Sequence, residues 1–204
     1  MNILAVLPLA FVMVAGPQIL SSFFFATRDD WRRTSFVYVL GAAISISIVV
    51  TLAFLLGLGA SDSASNDTVY YIVLALLLIG MFNTFRTRKT AEPPAWMGKL
   101  QTATPRFAFQ LGFLLLGFFP SDLITSVAVG GYLAAEDDPL YYGFGFLGLT
   151  LLFLGLPAIA VLLLGKRAEA RLPKIRDWMN DNSWIVNEAV LLLFVGIVIS
   201  SIAG

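Results

Sequence analysis

The residues best equipped for chemistry in this sequence are a few polar groups set inside apolar stretches, each group just after a proline. Gly16-Pro17-Gln18-Ile19-Leu20-Ser21-Ser22 interrupts one apolar run, and Phe119-Pro120-Ser121-Asp122-Leu123-Ile124-Thr125-Ser126 interrupts another. Gln18, Ser21 and Ser22 are spaced i, i+3 and i+4, and Asp122, Thr125 and Ser126 repeat that spacing. On helices, each set lines one face. Proline removes a backbone donor and clashes with the preceding turn, so Pro17 and Pro120 are expected to begin new half-helices. Half-helix N-termini offer free amides and a positive dipole end, which favour an anionic group. Asp122 would stand third in its half-helix, where a carboxylate is stabilised. A charge near the bilayer centre costs at least about 2.5–3.5 kcal/mol on insertion scales, and Ser or Asn could cap a helix without that cost. Burial penalises the charged form of a carboxylate, so Asp122 could exchange a proton during a transport cycle. The structural alternative is that both prolines only kink packed helices and Asp122 satisfies freed amides locally.

Other chemistry is poorly supplied. The chain has no Cys and no His, which excludes thiol redox work and thiolate metal sites and removes the commonest metal ligand and general base. One buried acid without a matched second group is weak acid–base equipment, so an enzyme is not expected, nor a metal or cofactor. Glu188 is the other acid inside an apolar run. Together with Asn187 and Asn83 it forms a candidate inner gate, the alternative being an acid that snorkels or pairs with Arg106, Arg167 or Arg176.

The elements that must position these groups are membrane spans. Charged residues make up 13% of the 204-residue chain, against about 25% in soluble domains. A bilayer core of about 30 Å needs about 20 mostly apolar residues per helix. Six segments qualify: Ile3 to Thr27, Thr34 to Gly59, Thr68 to Phe85, Phe107 to Ala134, Leu140 to Gly165 and Ser183 to Ala203. No basic region precedes the first run, so it reads as a retained helix rather than a cleaved signal peptide. All 13 Lys and Arg lie in the first, third and fifth loops, while the second and fourth carry Asp62, Asp67, Glu136, Asp137 and Asp138. The positive-inside rule then places the odd loops in the cytoplasm and both termini outside. Trp31, Trp96, Trp178 and Trp184 fall at the inner interface, and Tyr70, Tyr71, Tyr132, Tyr141 and Tyr142 at the outer one, as amphipathic rings do. Two inner stretches, Pro94 to Leu100 and Pro173 to Met179, read either as interfacial helices or as anchored loops. Ser45, Ser47 and Thr51 are expected to pack or hydrogen-bond between helices, and Gly143, Gly145, Gly148 and Gly155 to allow close helix approach.

The expected organisation is one transmembrane domain over residues 1–204, with a first repeat over about 1–85, a cytoplasmic linker over about 86–106 and a second repeat over about 107–204. The first helix of each half carries the proline device, and the two run in opposite directions. Inverted three-helix halves with interrupted helices meeting at the midplane are a transporter design. The candidate transport site is then Pro17, Gln18, Ser21, Ser22, Pro120, Ser121, Asp122, Thr125 and Ser126.

Val14-Ala15-Gly16-Pro17-Gln18-Ile19-Leu20-Ser21-Ser22-Phe23-Phe24, Ala26-Thr27, Asp30-Trp31-Arg32-Arg33 and Tyr38-Val39-Leu40-Gly41-Ala42-Ala43 resemble the GAP family. So do Asp177-Trp178-Met179-Asn180 and Asn182-Ser183-Trp184-Ile185-Val186-Asn187. These glycolipid-addressing proteins are related to the sulfolipid-addressing protein and belong to the LysE superfamily of small exporters. The resemblance covers nearly the whole chain and is specific in the first helix and before the sixth. It implies a LysE-like, all-α integral membrane protein of the cell membrane that exports lipid-linked or glycolipid material. Amino-acid exporters of the LysE type commonly carry Asn-Pro-Lys in the fourth helix, where this chain has Phe119-Pro120-Ser121-Asp122; that departure weighs against amino-acid export. The expectation is therefore an exporter or flippase of a lipid or other amphiphile. A small-solute exporter and a non-transporting scaffold for a lipid-export machine are the alternatives. Membrane lipids are the expected partners and nucleic acid is not. Small membrane transporters often dimerise, so a homodimer is one candidate assembly, though no decisive interface motif is present.

Overall fold

In the computed structural model, residues 3–14, 16–57, 100, 102–135 and 137–182 are described, with scattered helical positions within 75–86 and 184–199. Most of the third and sixth expected spans lies outside the described residues, as do Asn83, Asn187, Glu136 and the stretch from Pro94 as far as Lys99. The chain divides into two compact units, one of residues 1–61 with 95–177 and one of 62–94 with 178–204. The described elements are helical, as composition and periodicity predict.

The first apolar run does not form one helix. α1 spans Ile3–Val14 and α2 spans Pro17–Ala26, with Gly16 between them at φ 110°. Only glycine adopts that conformation without steric cost, and Pro17 fits the first helical position because its missing N–H would have no partner there anyway. α2 ends at Thr27, whose N–H reaches the Phe23 and Phe24 carbonyls. α3, Trp31–Leu56, follows a short turn and stops at Gly57 in the left-handed region. Its 26 residues reach about 39 Å at 1.5 Å each, enough to cross a bilayer core.

The fourth run is broken in the same way. Thr104 caps α4, Pro105–Phe118, by accepting the Phe107 N–H at 3.3 Å. Phe119 is extended, as a residue before proline tends to be, and α5, Pro120–Ala135, leaves at 63° to α4. A single 3₁₀ turn at Leu140–Tyr142 leads into α6, Gly143–Leu164, and α7 covers Lys166–Asp181. Among the described residues, α3 and the run Leu140–Leu164 are long and apolar enough to cross a membrane, and the bent pair α4–α5 would make a third span.

α3 holds the larger unit together. A Cβ on Gly41 would collide with the Phe109 carbonyl, one on Gly112 with the Tyr38 carbonyl, one on Gly117 with Ser45, and one on Gly130 with the Val50 carbonyl. These glycines let α4 and α5 approach α3 to backbone contact, which is how helices associate where lipid supplies no hydrophobic drive. Of the glycines expected to do this in the α6 stretch, Gly148 and Gly155 do not. Among the described residues a Cβ on Gly148 would meet nothing within 4 Å and one on Gly155 only Ile159 of its own helix, while one on the buried Gly143 would make ordinary contact with Leu133 and Val50. Glycine content alone does not say which face is turned to a neighbour. Ser45 is buried against Gly117, a packing role.

The stretch at Pro173 to Met179 is helical, inside α7, although Pro173 has no N–H to give. Ala168 and Leu172 of α7 bury against Ala26 and Val161. Large side chains elsewhere face outward: Phe36, Leu55, Leu56, Ile124, Phe144 and Leu163 are each more than 60% exposed. That surface is what a bilayer would cover.

Candidate functional site

The two helix breaks meet through their side chains. Gln18, second residue of α2, donates from Nε2 to Asp122 Oδ2 at 2.6 Å. Ser121 Oγ donates to Asp122 Oδ1 at 3.1 Å. Asp122 is the third residue of α5, in its first turn, where the dipole favours negative charge. A carboxylate only accepts, so both of its oxygens are met by donors. Gln18 and Asp122 are both fully buried, and a buried charge without partners would be far costlier than one so held.

Tyr38 of α3 closes the site from the side. It is fully buried, and its hydroxyl donates to the Gln18 carbonyl at 2.8 Å. Tyr38 lies within the tight seam of α3 and α4, so its hydrogen bond ties the start of α2 to that seam. Sequence reasoning missed it. The signal was present: a tyrosine inside an apolar run, seven residues past the interfacial Trp31, has a hydroxyl that needs a partner.

The expected hydroxyls are also buried at this place, but turned to a different use. Ser21 donates to the Pro17 carbonyl at 2.7 Å and Thr125 to the Ser121 carbonyl at 2.8 Å, each four residues back in its own helix. Ser22 donates to the Leu154 carbonyl of α6, three residues before Pro157, which distorts the hydrogen-bond ladder there. Ser126 faces Met13 Sδ at 3.7 Å. Pro17 and Pro120 start α2 and α5 as expected. One polar atom at the site is unspent: Gln18 Oε1 is buried with no hydrogen-bond partner.

A separate cleft of about 540 Å³ opens at the far end of α2, lined by Phe24, Thr27, Arg28, Asp29, Asp30 and Arg176. Arg28 pairs with Asp30 at 2.8 Å and donates to the Leu100 carbonyl at 3.1 Å. Arg176, considered above as a partner for Glu188, instead pairs with Asp177 at 2.6 Å, donates to Thr27 Oγ1 at 3.0 Å, and lies 5.0 Å from the Phe24 ring centre. Glu188 belongs to the smaller unit, and its Oε2 is buried without a hydrogen-bond partner among the described residues. No group of acids that could hold a metal ion occurs among the described residues.

Residues 6–203 match the family model described as Sap, sulfolipid-1-addressing protein. The chain belongs to this family. The matched range runs through both helix breaks. No curated protein and no solved structure matches the chain.

Proposed function

We propose that this member of the sulfolipid-1-addressing family is an exporter or flippase that moves a lipid, glycolipid or other amphiphile across the cell membrane. The observation that carries the proposal is the Gln18–Asp122 hydrogen bond, which ties two interrupted helices together through a buried carboxylate. Interrupted helices facing one another are built at a cost in backbone hydrogen bonding that simple packing does not require. The family's name, taken with the apolar outer surface, supports a lipid cargo. In this proposal the chain has six spans as two inverted LysE-type repeats, both termini outside, and no enzymatic activity.

Asp122 would couple transport to protons. Its ionised carboxylate accepts from the Gln18 amide nitrogen. Once protonated it becomes a donor, and the partner it then needs is an acceptor. Gln18 Oε1, buried and unpartnered, is that acceptor one amide flip away. Protonation would therefore exchange one Gln18–Asp122 bond for another, with the amide turned over, and give the two breaks two discrete arrangements.

A non-transporting scaffold for a lipid-export assembly is the second reading. It is favoured by the hydroxyls of Ser21, Ser22 and Thr125, all spent on backbone carbonyls. Transfer of fluorescent lipid analogues across vesicles holding the purified chain separates the two. Export predicts transfer that Asp122→Asn abolishes or frees from pH. Absence of transfer in vesicles, with loss of outer-leaflet lipid from cells lacking the gene, supports the scaffold.

A further inference from the structure

We infer that α7 is an interfacial helix whose basic stripe binds the anionic headgroups of the inner leaflet. Arg167, Arg171, Lys174, Ile175 and Trp178 follow one another at i, i+4, i+7, i+8 and i+11, the spacing of a single helix stripe. All five are exposed, with Ile175 at 44% and Trp178 at 53%. The adjoining face is taken by Ala168 and Leu172, which bury against Ala26 and Val161. The stripe is thus the part of the amphipathic helix that the fold leaves open.

Its charge is segregated. Between Arg167 and Ile175 the stripe bears three cations and no acid. Asp177 pairs with Arg176, and Asp181 comes two turns after Lys174. Among the described residues Arg167, Arg171 and Lys174 make no ion pair. Cations interleaved with an aliphatic and an indole side chain suit a headgroup layer: the apolar groups enter the acyl boundary while the charges meet phosphates.

The position of α7 supports the same occupant. α6 ends in Leu162, Leu163 and Leu164, which are 63%, 76% and 59% exposed, and the chain turns at Gly165, φ 51°, directly into Lys166 and Arg167. Bare leucines giving way within two residues to cations mark the edge of the hydrocarbon, so the helix starts at headgroup depth.

The chain has no cysteine, so single-cysteine variants take a spin label at one place only. Ile175→Cys, on the apolar side of the stripe, and exposed Ala170→Cys, about 140° round the helix from it at 3.6 residues per turn, are labelled and reconstituted into vesicles of phosphatidylcholine with or without phosphatidylglycerol. The expected result is that the label at 175 is several-fold less accessible to an aqueous nickel chelate than the label at 170, and that phosphatidylglycerol widens the difference. Arg167→Gln/Arg171→Gln/Lys174→Gln should remove the phosphatidylglycerol effect with helix content unchanged, and the charge-preserving Arg167→Lys/Arg171→Lys/Lys174→Arg should restore it. Equal nickel access at 170 and 175, or an unchanged phosphatidylglycerol response in the triple Gln variant, overturns the inference. Label depth does not depend on lipid transfer, so either proposal can fail alone. The assignment to the inner leaflet rests on the proposed orientation, and an impermeant thiol reagent reaching Ala170→Cys from outside intact cells would overturn it alone.

Discussion

If the Gln18–Asp122 bond holds the two helix breaks together, it must show as a coupling energy between those positions. Gln18→Leu removes the donor at similar volume and leaves the Tyr38 bond to the residue 18 carbonyl in place, because that bond uses the backbone. Asp122 would then keep only Ser121 among its side-chain donors. Hydrogen bonds between membrane helices average about 0.6 kcal/mol, whereas those to charged groups reach about 1.5–3 kcal/mol. At 2.6 Å, with both residues fully buried, the bond belongs near the lower end of the charged range. Gln18→Leu should therefore cost about 1.5 kcal/mol, or roughly 3–6 °C in Tm for a chain of this size, read by thermal unfolding in nanodiscs. Asp122→Leu alone should cost less, since it removes the charge together with its need for partners. The double variant Gln18→Leu/Asp122→Leu should return close to the native value, because an apolar pair asks for nothing. The coupling from the cycle should then be at least about 1.5 kcal/mol, the sum of the two single costs. If the two single effects add within about 0.3–0.5 kcal/mol, the limit for independent sites, the bond does not join the breaks and the functional proposal loses its support.

Other consequences follow from the same geometry. Gly112→Val should destabilise by about 1–3 kcal/mol through overpacking, since its Cβ would meet the Tyr38 carbonyl, while Gly148→Ala in open space should be neutral or stabilising; paired thermal melts compare them. Gly16→Ala should cost about 1–3 kcal/mol for a residue held at φ 110°, and its Cβ would come within 3.3 Å of Gln18 Oε1, so the same melt should show a loss. Under the proton-coupled proposal, lipid transfer by the native chain varies with pH and transfer by Asp122→Asn does not; a variant whose transfer follows the same pH dependence as the native chain would remove Asp122 from the coupling.

The places where structure followed from sequence are those where one residue type has one physical outcome. Pro17 and Pro120 could not continue a helix without losing a bond, and each begins one. Asp122 could not be left bare in an apolar run, and it has two side-chain donors. Which donors these would be was not legible, because Gln18 lies 104 positions away and nothing local links them. The glycines mark the same boundary. Gly41, Gly112, Gly117 and Gly130 make the tight seam while Gly148 and Gly155 do not, and the difference is which helix face meets a neighbour, a tertiary fact. Tyr38 and Arg176 were undervalued for another reason: each acts through one long side chain reaching another helix, and reach leaves no periodic trace.

The two breaks share an outcome but not a cause, and that bears on how the site would move. At the α1–α2 break the chain turns on Gly16, whose φ of 110° is open to glycine and few other residues. At the α4–α5 break it turns on Phe119, held extended by the proline that follows. Glycine retains access to other backbone conformations, whereas a residue before proline has few. Gln18 stands two residues after the permissive break, and Asp122 three residues after the restricted one. A change in the bond between them would therefore be taken up on the α2 side, where Gln18 has a spare oxygen and a glycine behind it, while Asp122 keeps its place on a fixed half-helix. Under the proposed proton coupling, the unequal chemistry of these two breaks would leave the charge-bearing group in place and let its partner turn.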